Sequence, residues 1–158
     1  MMSYERKNDP ISLEVSNDVN TYFENATYRN VRVADSTIEM DISEVTVFSD
    51  NPSNNQGGTV VCKRGTLVFD GVLSAIRVMR DYFPGATLAD DRWGPNRRVT
   101  DIANPDSLAG KRKYEICGRI VDEDPVQWVT EWTIICDKAT IKCQEWDFYK
   151  DKAQNEGF

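Results

Sequence analysis

Ile38, Met40 and Ile42 alternate with Glu39 and Asp41, and Tyr114, Ile116, Gly118 and Ile120 hold a single parity further along the chain. Successive side chains of a strand point to opposite faces, so a period of two marks half-buried sheet. Val31 and Val33 around Arg32 extend the pattern, with Asp35-Ser36 as a turn into the Ile38 run. Val45 and Val47 fall on the other parity, which requires a bulge near Ser43-Glu44. Residues 50–58, with Pro52, three asparagines and Gly57-Gly58, spell a flexible loop. Further strands are predicted at Thr59–Cys62, Thr66–Phe69, Tyr114–Ile120 and Val126–Cys136, and again from Ile141 to Phe148. The fold expected is mainly β, an antiparallel sandwich or open barrel with at most one or two short helices.

Two helices are candidates. One follows Ser16-Asn17 and carries Val19, Tyr22 and Phe23. The other covers 72–83, where Val72, Ala75, Ile76, Met79 and Phe83 fall on one helical face ahead of Pro84-Gly85. The second stretch also suits a strand after a two-residue turn at Asp70-Gly71, although that register sets Arg64 opposite Arg77, a destabilising like-charge pair. At the other end of the chain, a two-residue turn at Asp137-Lys138 sets Ile134 opposite Ile141 and Trp132 opposite Cys143, a consistent apolar face.

At 158 residues the chain is expected to be a single domain over 1–158, long enough to bury a core. Residues 1–10 and 150–158 are expected to fray, and 82–110, with three prolines, to form a long irregular loop. The first ten residues have charges but no apolar run behind them, and no apolar run approaches membrane-spanning length. A cytoplasmic protein with no membrane partner is therefore expected.

The chain contains no histidine. That removes Ser–His and Cys–His nucleophile pairs and histidine metal ligation. Cys62, Cys117, Cys136 and Cys143 have no C-x-x-C spacing and are expected as reduced thiols, so no metal and no cofactor is expected. A net charge of −7 argues against nucleic acid as the main partner, since phosphate binding needs a basic face.

Charge is nevertheless uneven. Between Arg92 and Lys113 lie six basic residues (Arg92, Arg97, Arg98, Lys111, Arg112, Lys113) against Asp101 and Asp106, a local +4 that leaves −11 for the rest. With Trp93 among them, these residues form either an anion-binding loop or solvated charge that offsets the acidic body. Asp122, Glu123, Asp124 and Glu131 flank Trp128. They are either a partner surface of aromatic anchor and acidic rim, or exposed carboxylates beside core tryptophans. An acidic surface of this kind calls for a basic protein partner. A small-molecule or carbohydrate-binding module is the alternative, including a hydrolase that works through paired carboxylates.

Three stretches, Phe23-Glu24-Asn25-Ala26-Thr27-Tyr28, Gly65 to Val72 and Glu131-Trp132-Thr133-Ile134 leading to Ala139, together resemble small strand-rich bacterial proteins of the immunity type, encoded beside secreted toxins. Such proteins often carry His-Asp-Ala where this chain has Glu24-Asn25-Ala26. The resemblance implies a non-enzymatic β protein that neutralises a toxin, and it implies a strand over Val72–Val78.

Overall fold

A computed structural model describes residues 4–16, 20–82, 94–103, 111–123 and 125–151. Among them there is no helix, and none therefore that is long and apolar enough to cross a membrane. Twelve strands, β1 (Tyr4–Lys7), β2 (Ile11–Glu14), β3 (Thr21–Tyr22), β4 (Thr27–Ala34), β5 (Thr37–Ser43), β6 (Val45–Val47), β7 (Gly58–Asp70), β8 (Ser74–Tyr82), β9 (Arg97–Ala103), β10 (Arg112–Ile120), β11 (Val126–Cys136) and β12 (Lys138–Lys150), form one large mixed sheet. Its main path runs β1-β12-β7-β5-β4-β10-β11-β8-β9 and does not close into a barrel.

The expected β4–β5 hairpin is present, with Ala34 paired to Thr37 across a turn in which Asp35 takes φ +53°. Ile38, Met40 and Ile42 are buried as the alternation demands. The parity change at Ser43-Glu44 is also there. Glu44 adopts φ +62° and donates its N–H to the Cys62 carbonyl (2.7 Å), so that Val45 and Val47 turn back into the core along β7.

The two strands expected at Thr59–Cys62 and Thr66–Phe69 are halves of the long β7, which passes between them at Gly65. A Cβ there would lie 2.6 Å from both Cys62 Sγ and the Lys142 carbonyl oxygen, so only glycine lets β7 lie this close to β12. Gly118 serves the same end at the other seam. It has φ +146°, and a Cβ would meet the Tyr28 ring at 2.5 Å. That close approach lets β10 run parallel to β4 through Arg119–Thr27 and Ile120–Tyr28, joining the two arms of the sheet.

The arms fold over one core. Phe69 of β7 meets Tyr114 of β10 edge-on, with centroids 5.9 Å apart, and the Tyr114 hydroxyl donates to the Val15 carbonyl at 3.2 Å. Tyr28 meets the fully buried Trp132 in a T-shaped contact at 6.0 Å. Such pairs add to the burial of large rings.

Several expectations are corrected. Asp137 does not close a hairpin between β11 and β12: its N–H goes to the Asp70 carbonyl (2.9 Å), and the chain crosses from one arm to the other. Ile134 pairs with Tyr114 and Ala75, while Ile141 pairs with Leu67 and Leu13. Asp70-Gly71 is likewise a crossing. Val72 N–H bonds the Ser36 carbonyl and Leu73 N–H the Ile135 carbonyl, and β8 then pairs with β11 and β9. The like-charge clash of the hairpin register is thereby avoided. Arg64 faces Glu145 (Nε–Oε2 3.6 Å), and Arg77 lies elsewhere.

Residues 74–82 are strand, not helix: they pair with β11 on one side and β9 on the other, edges that a helix would leave open. Tyr22 is in β3 against β6, not in a helix with Val19, which lies outside the described residues. The irregular stretch 82–110 contains β9. Its residues 83–93 and 104–110 lie outside the described residues. Loop 50–58 is built rather than slack: the Asn54 side-chain amide donates to the Val47, Phe48 and Gly58 carbonyls at 3.2, 3.1 and 2.9 Å. Of the ends expected to fray, Tyr4–Lys7 pairs along β12, where Arg6 bridges Asp147 and Glu145, and β12 itself runs to Lys150.

Candidate functional site

β10, β11 and β8 lie side by side, each antiparallel to the next. Their core faces carry Tyr114, Ile116 and Ile120, then Val129, Trp132 and Ile134, then Ala75 and Met79, all buried. In an unbroken strand Trp128 and Trp132 would share that face. A register shift between Val129 and Glu131 changes the parity of β11, so Trp132 points in and Trp128 points out. Of the two sequence readings of Trp128, the core position is the one not realised.

On the outer face Trp128 lies directly opposite Arg119 on one side and Arg80 on the other. At the usual strand spacing, the two arginine Cα atoms are roughly 10 Å apart. One step towards the strand ends, Val126 lies opposite Tyr82, and Val121 extends that row in the register of Ile120–Gln127. With Thr130, these side chains line a cleft of about 770 Å³. That volume is within the range of small-molecule sites. Arg80 is oriented by an Nε–H bond to the Gly94 carbonyl at 3.0 Å. Thr130 is turned by its hydroxyl bond to the Val78 carbonyl at 3.1 Å.

The acids expected around Trp128 do not gather there. Asp122 is spent on a neighbour, its Oδ2 accepting the N–H of Asn30 (2.7 Å), a residue held at φ +54°. Glu123 is exposed, two residues beyond Val121 in the chain, and Asp124 lies outside the described residues. Glu131 is exposed beyond the register shift, opposite Val78, and accepts from the Thr133 hydroxyl at 3.4 Å. No carboxylate lines the cleft among the described residues.

The basic stretch is dispersed as well. Arg97 and Arg98 are on β9, where Arg97 pairs with Asp81 at 2.8 Å. Lys111 pairs with Asp137, Arg112 with Glu14 (2.7 Å) and Lys113 with Glu115 (3.1 Å). Arg97, Lys111, Arg112 and Lys113 are thus each ion-paired to a carboxylate. Arg92 and Trp93 lie outside the described residues.

Sequence reasoning missed Arg80 and Arg119. Counting across the Asp122–Pro125 turn from Ile120 would have set Arg119 against Trp128. Arg80 needed the non-local placement of β8, for which the sequence offers no signal.

A second polar group lies on the inner face of the same strands. Arg77 Nη2 pairs with Asp101 Oδ1 at 3.0 Å, and the guanidinium carbon is 4.9 Å from the Trp132 ring centroid. Burial raises the Asp101 carboxyl above its ordinary range, against the opposing charge of Arg77. The thiols are free. Burial pushes Cys136 up to about 11 and raises Cys117, while the Cys62 thiol together with burial raises Cys143. Cys117, Cys136 and Cys143 are thus held away from the nucleophilic thiolate form. Among the described residues, no three carboxylates or thiols are grouped to hold a metal ion.

In comparison with known proteins, the chain matches no family model, no curated protein and no solved structure.

Proposed function

We propose that this chain is a non-enzymatic binding protein whose ligand is a small molecule seated in the cleft over Trp128. The observation that carries the reading is the cleft itself: about 770 Å³ over an outward tryptophan on three paired strands, bounded by the apolar Val121 and Val126. Concave, largely apolar sites with a few placed polar groups are where small ligands bind. An aromatic side chain held on rigid strands also costs little entropy to offer as a platform. The described lining supplies arginine, tyrosine, threonine and tryptophan. Arginine stays protonated and the described lining holds no carboxylate, which supports binding without chemistry.

The test is a ligand-observed NMR screen of a fragment library, repeated on Trp128→Ala and Trp128→Phe. Hits that weaken about tenfold or more in the alanine variant and survive in the phenylalanine variant support the reading. Hits indifferent to both, or an absence of hits, overturn it.

Charge favours a second reading. In a chain of net charge −7, Asp122, Glu123 and Glu131 are exposed carboxylates. An immunity-type protein of the cytoplasm would use them to meet a basic toxin, with steering that raises the on-rate. Replacing the acids 122–124 with Asn/Gln should slow such an association and flatten its salt dependence. An acidic partner would remove this reading.

A further inference from the structure

The described lining of the cleft is opposite in charge to the chain as a whole. The chain carries −7, yet the described lining holds two arginines and no carboxylate. Arg119 has no ion-pair partner among the described residues, and it extends from a row whose other members are Trp128 and Arg80. A guanidinium beside apolar surface gains most from an anion it can grip with two parallel N–H bonds. A cationic ligand would find no carboxylate among the described lining residues beside Trp128.

Resting on the binding reading above, we infer that the ligand is a small amphiphilic anion, a planar apolar body carrying one carboxylate, sulfate or phosphate group. The body lies along Trp128 towards Tyr82, Val126 and Val121, and the head group is held by Arg119. The two rows are about 7 Å apart, two residues along a strand, which is the span of a fused aromatic ring system. A single head group is favoured because Asp122 and Glu123 follow directly on Val121 at the cleft's end, where a second negative charge would be repelled. The same two acids disfavour a nucleic-acid strand, whose successive phosphates would have to pass them.

The probes are 2-naphthoate, 2-naphthalenesulfonate and 2-naphthyl phosphate, the neutral 2-naphthamide, and 2-naphthylmethylammonium. Each is titrated calorimetrically at low salt into the wild-type chain and into Arg119→Gln. Arg119 is an exposed side chain, so its replacement leaves the fold intact, and matching thermal melts confirm that. At least one anion is expected to bind about tenfold or more tighter than the amide, a factor worth about 1.4 kcal/mol, with the ammonium weakest. In Arg119→Gln the favoured anion should fall towards the amide while the amide is unmoved. The order of the three anions then assigns the head group. Equal binding of the amide and all three anions, or an equal loss of every probe in Arg119→Gln, overturns the anion inference and leaves the small-molecule reading standing. If the amide and the anions all fail to bind, the small-molecule reading falls, and the anion inference with it.

Discussion

Trp128 and Trp132 are four residues apart on one strand and meet opposite environments. Trp132 is fully buried, edge-on to Tyr28 and under the Arg77 guanidinium. Trp128 faces outwards between Arg119 and Arg80 and lines the cleft. Each tryptophan has arginine beside it, but the inner arginine is matched by Asp101, while no carboxylate is present in the described lining outside. One irregular step in β11 creates the difference. It teaches that residue type and proximity in sequence do not assign a role, whereas the face a strand presents does.

The largest expected effect separates the two rings. Trp132→Ala should destabilise the fold by about 3–5 kcal/mol, because it empties a core position and strands Tyr28, Arg77 and Asp101 around the gap. Trp128→Ala should cost about 1 kcal/mol, since its ring is only partly buried. Urea unfolding of both variants checks this. Equal losses would erase the distinction between the two faces.

Parity was legible in the sequence along most of the unbroken alternation, but not at Val33, which is exposed beyond a register shift between Arg29 and Arg32. The β4–β5 hairpin, the Glu44 reversal and the inward side of β10 all followed from it. Partnership was not. Ile134 and Ile141 do share the core, but a two-residue turn looks the same whether the chain returns beside itself or crosses to the other arm. The Arg64–Arg77 conflict was the one local sign that the chain crosses after Asp70. β9 escaped notice because its register shift between Ala75 and Ile76 of β8 falls at Asp101 and breaks the Val99–Ile102 alternation. Trp128 was expected in acidic company, since acids surround it in sequence, whereas arginines lie opposite it across the ladder.

A smaller effect tests whether the turn after Val121 is built or merely charged. Asp122 accepts the N–H of Asn30, a residue in the left-handed region. Asp122→Ala should cost about 1 kcal/mol by leaving that donor to solvent, and Asp122→Asn, which keeps an acceptor oxygen, should cost less. Hydrogen exchange at the Asn30 amide is the direct readout, rising in the alanine variant and near wild type in the asparagine variant. An amide equally protected in both would reduce Asp122 to surface charge.

The smallest effect distinguishes the two kinds of arginine by pH. Burial raises the folded-state pKa of Asp101 above its value in the unfolded chain. Over the window between those two values the folded protein therefore binds more protons than the unfolded one, and stability declines as pH rises through it. Asp101→Asn cannot titrate, so it lacks this contribution, although it carries a constant cost from leaving Arg77 without its counter-charge. The stability of wild type relative to Asp101→Asn should therefore be greatest on the acid side and shrink to a plateau as pH passes the raised value. Arg119→Gln removes an arginine that has no ion-pair partner among the described residues, so its difference from wild type should stay flat over the same range. Urea denaturation at half-unit pH steps from pH 4 upwards measures both gaps. If the Asp101 gap instead widened with pH, the Arg77 charge would outweigh burial at the carboxyl, and the inner pair would be held together by attraction rather than tolerated at a cost.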